Sequence, residues 1–210
     1  MRATRRAFLA ALAAGILAMS PGNAGAQDRL DVVATTGMIA DAARAVGAAE
    51  VAVEALMGPG VDPHAYRQTR SDIVAMNRAD LVLWHGLYLE AQLEQFLIAL
   101  GRDRPVVAVA EGVPRDRLIA HEDYEAKQDP HVWMDPDLWI DVVHAVRDAL
   151  IAARPAAQAR FTANAEAHVA AIRDLARYAD RVLASVPPEN RILLTSHDAF
   201  NYFGAAYGFE

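Results

Sequence analysis

Three of the seven histidines in the sequence stand where a metal ligand is expected. His64 and His131 each end the tripeptide Asp-Pro-His. Proline restricts its own φ angle and the residue before it, so both tripeptides predict stiff loops that pre-orient an imidazole. The neighbouring Asp62, Asp129 or Asp135 is expected to accept a hydrogen bond from the second ring nitrogen, as carboxylates commonly do behind metal-binding histidines.

His197 is the third candidate. It follows a predicted strand over residues 191–194 and precedes a predicted helix over residues 199–207. Neutral imidazole is a common ligand of transition metals. We therefore predict that His64, His131 and His197 hold one divalent transition-metal ion. Affinity should fall below a pH of roughly 6.5, where imidazole takes up a proton.

The other four histidines have weaker contexts. His85 is predicted to have an ordinary structural role, with a hydrogen bond behind the metal ligands as the alternative. His168 lies on the apolar stripe of a predicted helix and is expected to pack there, whereas His121 and His144 are expected at the surface. The tryptophans are predicted to lie in the core: Trp84, Trp133 and Trp139.

Short apolar segments alternate with segments of helical periodicity over the first 110 residues. Strands are predicted over residues 30–35, 51–56, 81–84 and 106–109, and helices over residues 38–46, 70–77 and 87–100. This alternation predicts an α/β fold with a parallel sheet and helices on both of its faces. Ligands of such sheets bind beyond the carboxyl ends of the strands, where His64 and His85 are expected.

One long amphipathic helix is predicted over residues 155–186, between Pro155 and the pair Pro187-Pro188. It is longer than one small domain needs, so we interpret it as a connection between two lobes. Residues 27–154 would form the N-terminal α/β lobe, and residues 187–210 would begin a C-terminal α/β lobe. One strand and one helix cannot bury a core, so we expect that this second lobe is truncated in the sequence.

The N-terminus is typical of an export signal. Arginines precede an apolar run that is too short to span a bilayer, and small residues follow, which predicts a signal peptide over residues 1–26. Arg5 and Arg6 also fit the twin-arginine pattern. The rest carries 17 basic and 27 acidic side chains, so nucleic acid is not an expected partner. The absence of cysteine excludes thiolate ligands, and we expect a periplasmic monomer without stable membrane insertion after signal cleavage.

Several segments together resemble the cluster A-I (TroA-like, ZnuA-like) solute-binding proteins of manganese and zinc ABC importers. The segments occur in family order at residues 57–64, 79–81, 86–90, 129–133 and 196–203. The resemblance implies two α/β lobes joined by a rigid helix, with the ion held between them at positions matching His64, His131 and His197. It also implies that the fourth ligand is a carboxylate in the second lobe and that the partner is a membrane permease.

Three departures from the family bear on the metal. Residues 114–128 are shorter than the His-rich loop of many zinc-uptake members, whereas His197 replaces the glutamate of many manganese members. His85 stands where the family usually has asparagine. Three imidazoles and a carboxylate suit either Mn²⁺ or Zn²⁺, so the sequence leaves both ions open.

The expected function is capture of Mn²⁺ or Zn²⁺ and delivery to an ABC importer, without an enzymatic reaction. Two alternatives stay open at this point. A metal-dependent hydrolase also uses three histidines and a water, but the sequence contains no His-Glu-x-x-His segment to supply a general base. A metal-binding surface adhesin would need an anchor, and there is no cysteine for a lipid.

Overall fold

A computed structural model describes residues 29–121 and 124–210, and the predicted signal peptide lies outside this range. Four parallel strands form one sheet in the order β2-β1-β3-β4. They are β1 (Leu30–Ala34), β2 (Val51–Ala55), β3 (Leu81–Trp84) and β4 (Val106–Ala108). The predicted α/β class and parallel sheet are confirmed.

Six α-helices accompany the sheet in the described residues. They are α1 (Gly37–Gly47), α2 (Arg70–Arg78), α3 (Glu94–Leu100), α4 (Pro136–Ala153), α5 (Gln158–Leu183) and α6 (Asn201–Tyr207). Side-chain caps fix where several of them begin. Thr36 accepts a hydrogen bond from the backbone of Ile39 at α1, and Thr69 forms a reciprocal capping box with Asp72 at α2.

The sheet is buried on both faces, as a parallel sheet requires. Successive side chains of a strand point to opposite faces. In β3, Leu81 and Leu83 pack in the core under α1, α4 and α5, whereas Val82 and Trp84 pack in a second core with residues of α2 and α3. Because all four strands are parallel, their carboxyl ends lie at the same edge of the sheet, and the loops that follow the strands lie there too.

The segment after β3 differs from the predicted helix over residues 87–100. Gly86, Leu87 and Tyr88 all have positive φ angles, of 84°, 51° and 69°. A right-handed helix cannot contain such residues, so the chain first makes turns and α3 begins only at Glu94. Leucine and tyrosine rarely adopt positive φ angles, so the residue types of Leu87 and Tyr88 do not predict this conformation.

Helix α4 was not predicted. Asp135 caps its N-terminus and Pro136 occupies its first turn, which is a favourable start. The helix packs against α1, α5 and β3, so its buried face is broad. Its buried residues are Leu138, Ile140, Val142, Val143, Val146, Ala149 and Leu150.

Helix α5 has a buried half and an exposed half. Phe161, Ala165 and Val169 near its N-terminus are buried, but further along the predicted stripe Leu175 is 62% exposed and Val182 is 46% exposed. A 3-10 turn over residues 155–157 precedes the helix, so the predicted helical segment over residues 155–186 is slightly shorter as an α-helix. No helix among the described residues is long and apolar enough to cross a membrane.

The predicted strand over residues 191–194 joins no sheet in the described part of the chain. Its backbone meets the last residue instead. The N–H of Leu193 donates to the carbonyl of Glu210 over 2.7 Å, and the N–H of Glu210 donates to the carbonyl of Arg191 over 2.9 Å. A single pair of bonds of this kind does not make a ladder, which explains the difference from the prediction.

Candidate metal centre

The structure brings the three predicted ligands, His64, His131 and His197, to one point. Nε2 of His131 lies 3.3 Å from Nε2 of His64 and 3.1 Å from Nε2 of His197. One ring nitrogen from each of the three histidines lies within 4.8 Å of the other two. Nitrogens about 2.0–2.1 Å from a shared Zn²⁺ ion lie roughly 3.3 Å apart in a tetrahedron, so this arrangement fits a common ion.

The two Asp-Pro-His tripeptides adopt the same local turn. In each, the aspartate accepts a hydrogen bond from the backbone N–H of the histidine: Asp62 from His64 and Asp129 from His131, both at 2.9 Å. His131 is also the central residue of an inverse γ-turn, because the N–H of Val132 donates to the carbonyl of the preceding proline over 2.8 Å. The sequence-based expectation of a stiff loop has this physical basis.

Asp129 fixes the ring of His131 as well as its backbone. Oδ1 of Asp129 lies 2.6 Å from Nδ1 of His131, and a carboxylate can only accept there. The N–H is therefore on Nδ1, and Nε2 carries the free lone pair that a metal needs. Burial raises the pKa of the Asp129 carboxyl, but hydrogen bonds from the His131 ring and backbone outweigh it and lower this pKa overall.

His197 is brought to the centre by residues at the start of α6. Asn201 donates from Nδ2 to Oδ2 of Asp129 over 3.1 Å and to Oδ2 of Asp198 over 3.2 Å. The hydroxyl of Tyr202 donates to the backbone carbonyl of Asp129 over 2.8 Å. One aspartate thus joins the second and third histidine segments, although 66 residues separate His131 and His197.

Sequence reasoning missed Asn201 and Tyr202 as supports of the site. Their partner is Asp129, which lies in a distant part of the chain. The sequence showed this segment only as part of a family motif over residues 196–203. It did not indicate which loop the segment would contact.

The centre runs from buried to exposed. His131 is buried, His64 is half-buried and His197 is exposed, and the three line a cavity of about 470 Å³. Burial lowers the pKa of His64 below its usual value, and the nearby His131 lowers it further. The His64 ring is therefore neutral, and able to bind a metal, over a wider pH range than a free imidazole.

Asp135, another predicted acceptor for a ligand's ring N–H, has a different role. It accepts a hydrogen bond from the backbone N–H of Asp137 over 2.8 Å, as the cap of α4.

Two of the three tryptophans are less buried than predicted. Trp133 was predicted to lie in the core but is half-buried and lines the same cavity as the three histidines, and its ring packs against His131 with centroids 5.2 Å apart. Trp84 is buried as predicted, and Trp139 packs partly buried against the core.

Four histidines contribute no nitrogen to the cluster within the described residues. His168, His121 and His144 are all half-buried, so His121 and His144 are less exposed than predicted. Ring packing on Tyr124 covers His121, and His144 approaches Glu166 to 3.9 Å. His85 is fully buried, and burial lowers its pKa to about 3, so its ring is neutral.

Comparisons with known proteins identify the family of this chain. The family model described as zinc-uptake complex component A, periplasmic, matches residues 32–210. The chain is 43% identical over 179 residues to the zinc-binding protein TroA of Treponema pallidum, which covers 85% of this chain and 58% of that protein. It is 40% identical over 185 residues to the manganese-binding lipoprotein MntA of Bacillus subtilis, covering 88% and 60%.

The fold is also that of a solved relative. The structure matches the periplasmic zinc-binding protein TroA from Treponema pallidum with a TM-score of 0.83 at 42% identity, covering 87% of this chain and 65% of that one. The chain therefore belongs to the ZnuA/TroA-like family of metal-binding solute-binding proteins. It spans about three fifths of the length of the curated relatives it matches.

Proposed function

We propose that this protein captures one divalent transition-metal ion, Mn²⁺ or Zn²⁺, in the periplasm and delivers it to the membrane permease of an ABC importer. His64, His131 and His197 are the proposed ligands. The observation that carries the proposal is the meeting of ring nitrogens from three separate segments, with Nε2 of His131 3.3 Å from that of His64 and 3.1 Å from that of His197. Family membership supports the transport role.

The chemistry of the three nitrogens also favours a metal over a structural role. Neutral imidazoles whose lone pairs face one another gain little from mutual hydrogen bonding, because only one N–H is available to each ring. At His131 that N–H is engaged by Asp129 over 2.6 Å, so its Nε2 has no proton to offer. An ion at the centre would satisfy all three lone pairs at once.

The donor set bears on the choice of ion. Imidazole nitrogen suits Zn²⁺, and nitrogen sites generally bind Zn²⁺ more tightly than Mn²⁺, which prefers oxygen. Relatives are named for zinc, manganese and iron, so names alone do not select one. Purified protein should therefore bind Zn²⁺ more tightly than Mn²⁺, whichever ion is transported.

The domain division and export complete the proposal. We infer that residues 1–26 direct export, residues 27–154 form the N-terminal lobe, residues 155–186 connect, and residues 187–210 begin a second lobe. The apolar residues of α5 that stay exposed, Leu175 and Val182, are consistent with a further packing partner for this helix. Delivery to a permease requires no chemical step by this protein.

Elemental analysis tests the ligand assignment. Protein purified without added metal should contain close to one equivalent of a transition metal, and His131→Ala should lose it. His168→Ala is the matched control, because His168 is a half-buried histidine on α5 that lies outside the cluster. Circular dichroism checks that both variants are folded. The assignment would be contradicted if His131→Ala kept its metal, or if His168→Ala lost as much metal as His131→Ala.

A further inference from the structure

His85 contacts the backbone that presents the ligand His131. Nε2 of His85 lies 2.6 Å from the carbonyl oxygen of Pro130. This oxygen also accepts the N–H of Val132 over 2.8 Å and so closes the γ-turn centred on His131. A carbonyl can only accept, so Nε2 of His85 must carry the hydrogen.

The tautomer of His85 follows from its surroundings. The ring is fully buried, and its Nδ1 has no hydrogen-bond partner among the described residues. An N–H at Nδ1 would be an unpaired buried donor, which costs free energy, whereas a hydrogen on Nε2 is paired with the carbonyl of Pro130. Trp133 packs edge-on against this ring, with centroids 5.3 Å apart.

The backbone of His85 is held in turn by a buried carboxylate. Oε1 of Glu90 accepts from the backbone N–H of His85 over 2.8 Å and from the hydroxyl of Thr35 over 2.6 Å, and Oε2 accepts from Gly86 over 3.2 Å. Glu90 is fully buried. These bonds fix the left-handed turn that begins at Gly86 and tie the ends of β1 and β3 together, so His85 projects from a rigid base.

We propose that His85 is a positioning residue for the metal site: its Nε2–H holds the carbonyl of Pro130 and thereby sets the direction of the His131 ring. The inference rests on the proposed function, since it assigns His85 a role at the same site. His131 is then fixed from two sides, through its ring by Asp129 and through its backbone by His85.

A matched pair of substitutions separates the hydrogen bond from the packing. In His85→Gln the amide nitrogen stands the same number of bonds from Cβ as Nε2 does in histidine, so it reaches the carbonyl of Pro130. In His85→Met a methyl group takes that place, with similar length and flexibility but no donor. His168→Met is the control for replacing a half-buried histidine away from the site.

Zn²⁺ affinity is measured by competition with a chromophoric chelator, and the visible absorption of the Co²⁺ form reports ligand geometry. We expect His85→Met to weaken Zn²⁺ binding by about 10–100-fold and to alter the Co²⁺ spectrum, since groups behind a ligand typically have effects of this size. His85→Gln should stay within about three-fold of the unsubstituted protein, on the same scale. Equal affinities for both variants, or equal losses in both, would overturn the inference.

One measurement needs neither a variant nor a metal. Long-range ¹H–¹⁵N correlation spectra of the metal-free protein should show His85 as the Nε2–H tautomer, even if His85→Met does not fold. An Nδ1–H tautomer would remove the proposed donor and overturn the inference. If the unsubstituted protein binds no metal at all, the proposed function fails. This outcome is distinguishable from failure of the inference about His85, in which the unsubstituted protein still binds metal.

Discussion

The two Asp-Pro-His loops have the same sequence and the same turn, yet the fold supports them very differently. In both, the aspartate accepts the backbone N–H of the histidine at 2.9 Å. Asp129 also binds the ring of His131 at 2.6 Å, but no hydrogen bond joins Asp62 to the ring of His64 in the described residues. His131 is 4% exposed, whereas His64 is only half-buried.

The difference lies in the neighbours rather than in the tripeptides. The loop of His131 is contacted by His85 after β3 and by Asn201 and Tyr202 at α6. The loop of His64 follows the edge strand β2 and has no comparable set of polar contacts among the residues that the structure describes. A side chain fixed by buried hydrogen bonds loses less entropy when it binds an ion, so of the proposed ligands we expect His131 to be the pre-organised one and His64 the adaptable one.

Acidification should have the largest effect on Zn²⁺ affinity, because it protonates histidines in both loops at once. An imidazole with the usual pKa of about 6.5 is neutral in roughly one molecule in ten at pH 5.5, so three such ligands would weaken binding up to about 1,000-fold relative to pH 7.5. Burial and the neighbouring His131 lower the pKa of His64, which keeps this ring neutral further into acid. We therefore expect a loss between about 10-fold and 1,000-fold.

Calorimetric or chelator titrations of Zn²⁺ at pH 7.5 and 5.5 give this ratio directly. The lowered pKa of His64 has a second consequence for the metal-free protein. The neutral His64 ring contributes to the free energy of unfolding above the usual pKa near 6.5. This contribution is lost as the pH falls from there to the lowered pKa of His64, because the unfolded chain takes up the proton first. An affinity that does not change between these pH values would contradict imidazole ligation by both loops.

Replacing each aspartate in turn should show how much it contributes to Zn²⁺ affinity in its own loop. Asp129→Asn removes the charge that accepts the Nδ1–H of His131 and should weaken Zn²⁺ binding about 10–100-fold, as expected for a group behind a ligand. Asp62→Asn is the matched change. An asparagine oxygen can still accept the backbone N–H of His64, so we expect less than about a three-fold loss.

Affinities of the two variants, measured in the same chelator competition, decide whether the comparison holds. Losses of similar size would mean that Asp62 supports its ring after all when the ion is bound. A larger loss in Asp62→Asn than in Asp129→Asn would reverse the assignment of the pre-organised and the adaptable ligand.

Much of the fold could be predicted from the sequence because its signals are local. Each of the first four strands is a short apolar segment, and each helix that was predicted has one apolar stripe. Helix α4 was not predicted, although six of its seven buried residues recur every three or four positions along one face and only Ile140 lies off that face. The turn at Leu87 and Tyr88 was missed because its left-handed conformation depends on Glu90, a buried acid that binds backbone N–H groups.

The clustering of the three histidines could be predicted and the residues that support them could not, for a related reason. His64 and His131 follow a proline in a repeated tripeptide, which is visible in the sequence alone. The role of Asp129 among three candidate carboxylates, and its contacts with Asn201 and Tyr202, depend on which distant segments pack together. Of the three aspartates, Asp135 instead caps α4, a helix whose start was not recognised.

Tyr202 gives the smallest expected effect on the metal and the finest test of the comparison. Its hydroxyl is buried between two backbone groups, because it accepts the N–H of Ile119 over 3.0 Å and donates to the carbonyl of Asp129 over 2.8 Å. Tyr202→Phe leaves both unpaired and should lower the free energy of unfolding by about 1–3 kcal/mol. Tyr178→Phe, at a side chain that is 58% exposed, should change it by less than about 0.5 kcal/mol.

The metal affinity of folded Tyr202→Phe should fall only a few-fold, about ten times less than in Asp129→Asn, because the carboxylate that orients His131 remains. Urea denaturation of the metal-free protein and chelator competition separate the two quantities. If Tyr202→Phe loses as much affinity as Asp129→Asn while staying folded, then the second loop depends on α6 for its geometry and is not pre-organised by its own aspartate. The contrast between the two Asp-Pro-His loops would then reflect where His197 is anchored.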